Sequence, residues 1–126
     1  MIQIAQYGLI LILSAVLIFH ILVILKIIPY TIVWGGRLKT DKDMYKFEAV
    51  SILVNLIFLA IILIYSDILK IDLPGIFITI LLWIMAALFA LNTLGNLMSK
   101  NKLEQKLFTP MTVILTIFSV ILALAN

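Results

Sequence analysis

Polar side chains that could bind a solute or an ion occur within hydrophobic stretches of this sequence. They supply a carboxylate, an amine, amides and hydroxyls, and we select as candidate site residues Lys26, Glu48, Ser51, Asn55, Asn92, Asn96 and Thr112. Such groups are costly in lipid, and ionisable groups there are functional candidates by default. Glu48 could accept a proton or attract a cation, the amides could bind polar groups of a ligand, and Lys26 could supply a counter-charge.

The spacing of these residues places them on common helix faces. Glu48 and Asn55 are seven residues apart with Ser51 between them, and Asn92 and Asn96 are four apart, so each set shares one face. A third stripe, on the last hydrophobic stretch, consists of Thr109, Thr112, Thr116 and Ser119. Three helices therefore each present a polar stripe, which predicts a pocket between them that opens to the cytoplasm.

A second interpretation needs no ligand. Asn, Ser and Thr commonly form hydrogen bonds between membrane helices, at about 0.6 kcal/mol each. Glu48 would lie in the first turn of its helix, where the helix dipole stabilises a negatively charged side chain. Lys26 could extend its amine to the membrane surface. The sequence leaves a binding pocket and simple helix-to-helix adhesion both open.

His20 is the deepest ionisable residue, and we place it near the middle of the membrane. Because histidine titrates near neutral pH, it is a candidate for proton transfer. The alternative is a neutral His20 that hydrogen bonds to a neighbouring helix. One histidine and no cysteine argue against a zinc site, and we predict no metal, no cofactor and no catalytic residue.

Composition explains why these groups must be positioned by membrane helices. Of the 126 residues, 65% are hydrophobic and 12% are charged, against roughly 45–50% and about 25% in soluble domains. So small a domain cannot hide that much apolar surface from water. The composition excludes a soluble enzyme, a nucleic-acid-binding protein and a disordered tail, and it predicts an integral membrane protein.

Four hydrophobic runs are each about long enough to cross a bilayer. We predict an all-α, four-helix transmembrane bundle in which sequential helices are antiparallel neighbours, forming one integral membrane domain over residues 1–126. The predicted helices are about 7–29, 46–65, 74–98 and 110–125. Gly35 and Gly36 would stop the first helix, and Thr109-Pro110 would begin the last. The first run is too long for a secretory signal and lacks its basic start, so we expect it to be retained.

Lysine and arginine are unevenly distributed among the connecting segments. The first segment carries Arg37, Lys39, Lys42 and Lys46, the third carries Lys100, Lys102 and Lys106, and the second carries only Lys70. Because basic loops remain in the cytoplasm, this pattern predicts that the first and third loops are cytoplasmic. Both termini would then lie on the outer side of the cell membrane. Tyr30, Trp34 and Tyr45 would anchor the inner interface.

The stretch from Arg37 to Glu48 leads from a basic loop into a helix that begins Tyr45-Lys46-Phe47-Glu48. With the predicted topology, it resembles the membrane-associated eicosanoid and glutathione (MAPEG) family of enzymes. The resemblance implies four helices, outward termini and glutathione binding at this stretch. Tyr45 stands where the family has Asn, and one arginine stands where the family has several.

The function that we predict is non-catalytic binding or transport of a small solute or ion by a small, homo-oligomeric membrane protein. The lipid bilayer is an expected partner, and nucleic acid is not. The alternatives are a MAPEG-like membrane enzyme, or a non-catalytic subunit, assembly or immunity partner.

Overall fold

The computed structural model describes residues 1–32 and 38–126, with only the backbone of Ile32. Its long helices are α1 (Ile2–Ile24), α2 (Asp41–Tyr65), α3 (Gly75–Leu97) and α4 (Lys102–Ala125), and a short 3-10 turn spans Tyr30–Ile32. All four long helices are long and apolar enough to cross a membrane. The predictions of an all-helical protein and of four spans are confirmed. The predicted roles of Trp34, Gly35, Gly36 and Arg37 lie outside the described residues.

Helix α2 begins earlier than its hydrophobic run. The Thr40 side chain accepts a hydrogen bond from the Asp43 backbone N–H at 3.2 Å, which satisfies one of the unpaired donors at a helix start. Asp41 and Asp43 lie in the first turn, where the helix dipole stabilises negatively charged side chains. The predicted start at residue 46 was therefore wrong. The capped polar turn places Glu48 about 10 Å inside the helix rather than at its first turn.

Helix α4 also begins before the predicted residue 110. Asn101 caps it by accepting hydrogen bonds from the backbone N–H groups of Leu103 and Glu104, at 2.9 and 3.1 Å. Pro110 lies inside the helix. Membrane helices tolerate an interior proline when neighbouring groups satisfy the backbone. Thr109 is not a cap, and its buried hydroxyl has no hydrogen-bond partner among residues 1–32 and 38–126.

Helix α1 ends at Ile24, five residues before the predicted end. Lys26 follows in the left-handed conformation, with φ of 62°, and the backbone N–H of Ile27 donates to the Leu22 carbonyl at 2.9 Å. A left-handed residue just past the last turn is a common way to end a helix. Pro29 therefore lies beyond α1 and does not kink it.

The helices pack as two pairs, α1 with α2 and α3 with α4, and the two pairs are joined mainly through α1 and α4. α1 packs on α2, α3 packs most extensively on α4, and α1 packs on α4, whereas α2 and α3 touch only slightly. At the α1–α4 contact, Gly8 leaves room for the ring of Phe118. A core of apolar residues from all four helices includes Leu9, Ile62, Leu82 and Leu122. The weak α2–α3 contact leaves one side of the bundle open.

Hydrogen bonds show which chain segments lie together at each end. The Asn101 side chain donates to the Thr31 carbonyl at 3.3 Å, so the segment before α2 meets the segment before α4. We call this the basic end. The Asn126 side chain donates to Thr79 and to the Gly75 carbonyl, at 2.7 and 3.0 Å, which joins the last residue of the chain to the start of α3. We call this the opposite end.

Candidate functional site

A cavity of about 790 Å³ lies between the helices where α2 and α3 diverge. Residues from all four helices line it, most of them apolar. Sites for small molecules commonly have volumes of about 300–1,000 Å³ and apolar walls with a few polar groups. The cavity has the dimensions and chemistry of such a site.

Most of the candidate site residues meet at this cavity. Five of the seven line it: Ser51, Asn55, Asn92, Asn96 and Thr112. His20, the candidate for proton transfer, lines it as well. Glu48 and Lys26 do not belong to the lining. Polar residues of α2, α3 and α4 therefore face one space, and α1 contributes the imidazole. Of the predicted stripe on α4, only Thr112 lines the cavity.

Glu48 lies behind the wall of the cavity. Its side chain is fully buried, and its Oε2 shares a hydrogen bond with His20 Nδ1, at 2.5 Å. Because α1 ends at Ile24, His20 lies about 6 Å from the end of its helix by the α-helical rise. The predicted place of Glu48 in the first turn of its helix was wrong, and the mid-membrane position of His20 stays a prediction. The two residues form a buried acid–imidazole pair that joins α1 to α2.

Lys26 is not a counter-charge for the cavity. Its amine forms an ion pair with Asp41 at the start of α2, and both side chains are about half exposed. The hydrogen bond to Asp41 raises the pKa of Lys26 above that of an ordinary lysine, so the amine stays charged at neutral pH. Exposed pairs of this kind contribute little to stability. The ion pair of Lys26 with Asp41 joins the end of α1 to the start of α2 at the basic end.

Thr112 and Asn96 connect α3 to α4. The hydroxyl of Thr112 contacts the Thr93 hydroxyl at 2.9 Å and accepts from the Asn96 amide at 3.3 Å. It also lies 3.0 Å from the Phe108 carbonyl of its own helix, to which it can donate. These two residues therefore hold helices together as well as line the cavity.

The side chains of Asn55 and Asn92 form no hydrogen bond between the four described helices. The Asn55 amide donates to the Ser51 carbonyl one turn earlier on α2, at 2.7 Å. The Asn92 side chain forms no hydrogen bond with any residue in the described part of the chain. Both side chains line the cavity. Their amide groups are the ones that a ligand could bind without breaking contacts between helices.

Sequence reasoning missed Glu104 and the aromatic walls. Glu104 is 3% exposed and lines the cavity from the first turn of α4. The signal that could have placed Glu104 inside a helix is Asn101, which caps α4 three residues earlier. Two edge-to-face aromatic pairs also contribute to the walls, Phe58 with Phe89 and Phe19 with Phe108, with ring centroids 5.2 and 5.1 Å apart. Aromatic pairs at these distances stabilise a packed wall.

The chain matches no known protein family, no curated protein and no solved structure. Of the MAPEG-like stretch, Arg37 lies outside the described residues and Glu48 is bonded to His20. Among residues 1–32 and 38–126, no group of three acidic, histidine or cysteine side chains is arranged to hold a metal. The wall of the cavity offers amides, hydroxyls and apolar side chains, together with two ionisable side chains, His20 and Glu104.

Proposed function

We propose that this chain is a membrane protein that binds a small molecule in the cavity between its four helices without changing it chemically. The observation that carries the proposal is the cavity of about 790 Å³ itself, with polar residues of separate helices on its wall. Binding is the first step of transport, so movement of the bound molecule across the membrane is part of the proposal. The predicted homo-oligomer stays a prediction.

We further propose that the basic end lies in the cytoplasm, that both termini lie outside and that sequential helices are antiparallel. The Asn101–Thr31 hydrogen bond supports this arrangement, because it brings two lysine-bearing segments to one end. The contact of Asn126 with the start of α3 supports it at the other end. With this orientation, the polar part of the cavity faces the cytoplasm.

A single cysteine tests whether the cavity holds water and opens to the cytoplasm. The chain has no cysteine, so Asn55→Cys introduces the only thiol, at the wall of the cavity. We expect a small, charged methanethiosulfonate reagent to label it in oriented proteoliposomes from the cytoplasmic side alone. Leu53→Cys is the matched control on α2, since Leu53 is exposed on the surface that would face lipid, and it should not react.

Absence of labelling at residue 55, or equal labelling of both variants, would contradict the binding cavity. A flux assay of small solutes in the same vesicles then distinguishes transport from binding alone. Stabilisation of the protein by glutathione would instead favour the MAPEG-like alternative. Stabilisation only by a copurifying protein would favour the subunit or assembly role.

A further inference from the structure

We propose that the cavity binds one single-chain amphiphile, with an uncharged, hydroxyl-bearing head group toward the basic end and an acyl chain toward the opposite end. This site presupposes the binding function proposed above and specifies the class of ligand. The distribution of polar and apolar side chains along the cavity supports it.

The wall of the cavity is polar toward the basic end. On three helices, the lining residue nearest that end is polar: His20 on α1, Asn96 on α3 and Glu104 on α4. On α2 it is Val50, and Ser51 follows it directly. A head group at this end can therefore form hydrogen bonds with several helices.

The wall is apolar toward the opposite end. The last lining residue in that direction is Ala15 on α1, Phe58 on α2, Leu88 on α3 and Leu115 on α4. An acyl chain placed here loses no hydrogen bond with water and gains contact with packed side chains. The ligand would have the same orientation as a lipid in the surrounding leaflet, with its head at the surface and its chain toward the membrane interior.

The polar groups left for the head group favour an uncharged one. His20 is already bonded to Glu48, and Glu104 makes interactions of its own. The side chain of Asn92, in contrast, makes no hydrogen bond within the described residues, and Asn55 uses only a side-chain N–H in the bond to Ser51. An amide both donates and accepts, as does a hydroxyl. A head group with hydroxyls matches these amides without bringing a charge into the helix bundle.

The open side of the bundle and the cavity size fit one acyl chain. Val50 and Leu91, at the divergence of α2 and α3, are 54% and 61% exposed, so the cavity borders the surface that would face lipid. Amphiphiles concentrate in the bilayer. The volume of about 790 Å³ lies in the range that holds a single drug-sized molecule.

Protection of a Ser51→Cys thiol tests the ligand class, because Ser51 lines the cavity and this change leaves the amides of Asn55 and Asn92 in place. The probes are a monoacylglycerol, glycerol as its head alone, an alkane as its chain alone, and the fatty acid of equal chain length. We expect the monoacylglycerol to slow labelling about tenfold at about ten times its dissociation constant, because the free fraction falls by that factor. The other three probes should give little protection.

The outcomes separate this inference from the proposed function. If the thiol reacts but monoacylglycerol gives no protection, the amphiphile site is wrong and the binding cavity stands. If the alkane protected as well as the monoacylglycerol, the head group would have no role in binding. Equal protection by glycerol would contradict a role for the acyl chain. Equal protection by the fatty acid would contradict the preference for an uncharged head group. A thiol that never reacts contradicts the cavity itself.

A second variant tests the site without a thiol reagent. Gly95 lines the cavity, and a Cβ added there meets no atom within 4 Å. Gly95→Trp should therefore fold and fill the head-group end, raising the monoacylglycerol concentration needed for half-saturation by about tenfold, a loss of roughly 1.4 kcal/mol. Gly75→Trp is the matched control, because Gly75 also has open space but does not line the cavity. Native mass spectrometry measures retention, and equal retention by both variants would overturn the proposal.

Discussion

The His20 imidazole and the Glu48 carboxylate form a 2.5 Å hydrogen bond between α1 and α2. Glu48 is fully buried and His20 is only 15% exposed. A buried polar pair of this kind constrains two helices, because each partner would be costly to bury alone. His20 lines the cavity and Glu48 does not, so Glu48 holds this part of the wall in place through its hydrogen bond to His20.

The first prediction concerns the coupling of these two residues. Glu48→Leu should lower the free energy of unfolding by about 1–3 kcal/mol, because it leaves the His20 ring without this hydrogen-bond partner. In a double-mutant cycle with His20→Leu, the two changes should be non-additive by about 0.5–3 kcal/mol. Unfolding in mixed micelles, followed by circular dichroism, measures both quantities.

The exposed pair is the control for that cycle. Asp41→Asn and Lys26→Met should show much weaker coupling than the His20–Glu48 pair, since their side chains are about half exposed. Equal coupling of the two pairs would contradict the importance that we assign to burial.

The second prediction contrasts two polar residues of the cavity. Thr112→Val should lower stability by about 1 kcal/mol, because it removes polar contacts of α4 with Thr93 and Asn96. Asn55→Leu should have a smaller effect, because its amide bonds only within α2. The same unfolding assay compares the two, and a greater loss for Asn55→Leu would indicate that Asn55 holds helices together.

The third prediction concerns the closest approach of α1 and α4. A Cβ on Gly8 would lie 2.3 Å from Cε2 of Phe118, so Gly8→Leu should destabilise the protein by about 1–3 kcal/mol through overpacking. Phe118→Ala should restore part of that loss in the double variant. Gly95→Ala is the matched control in open space, and it should be neutral or stabilising by up to about 1 kcal/mol. No rescue by Phe118→Ala would mean that another contact limits Gly8.

The fourth prediction concerns orientation. In intact cells, Asp43→Cys should be protected from an impermeant thiol reagent and Leu69→Cys should react, because the lysine-bearing segments favour the cytoplasm. Both residues are exposed at helix ends or connections. The reverse pattern would place the polar end of the cavity outside the cell.

The sequence by itself determined the number of membrane spans and the residue types at the cavity. Four apolar runs separated by short charged segments suffice to predict four helices, because the bilayer requires about 20 apolar residues for each. Helical spacing alone placed Ser51 with Asn55 and Asn92 with Asn96 on shared faces. Hydropathy could not locate the starts of α2 and α4, because Thr40 and Asn101 cap polar turns that precede the apolar runs.

Only the tertiary structure decided which of these faces meet and which residues pair. The capped start of α2 and the early end of α1 bring Glu48 and His20 to the same level, where they form a buried hydrogen bond. The left-handed Lys26 turns the chain away from the cavity toward Asp41. The slight contact between α2 and α3 leaves room for the cavity. The two side-chain pairs join residues that are 28 and 15 positions apart, and the cavity is lined by residues of all four helices. Local spacing along one helix carries no information about such contacts.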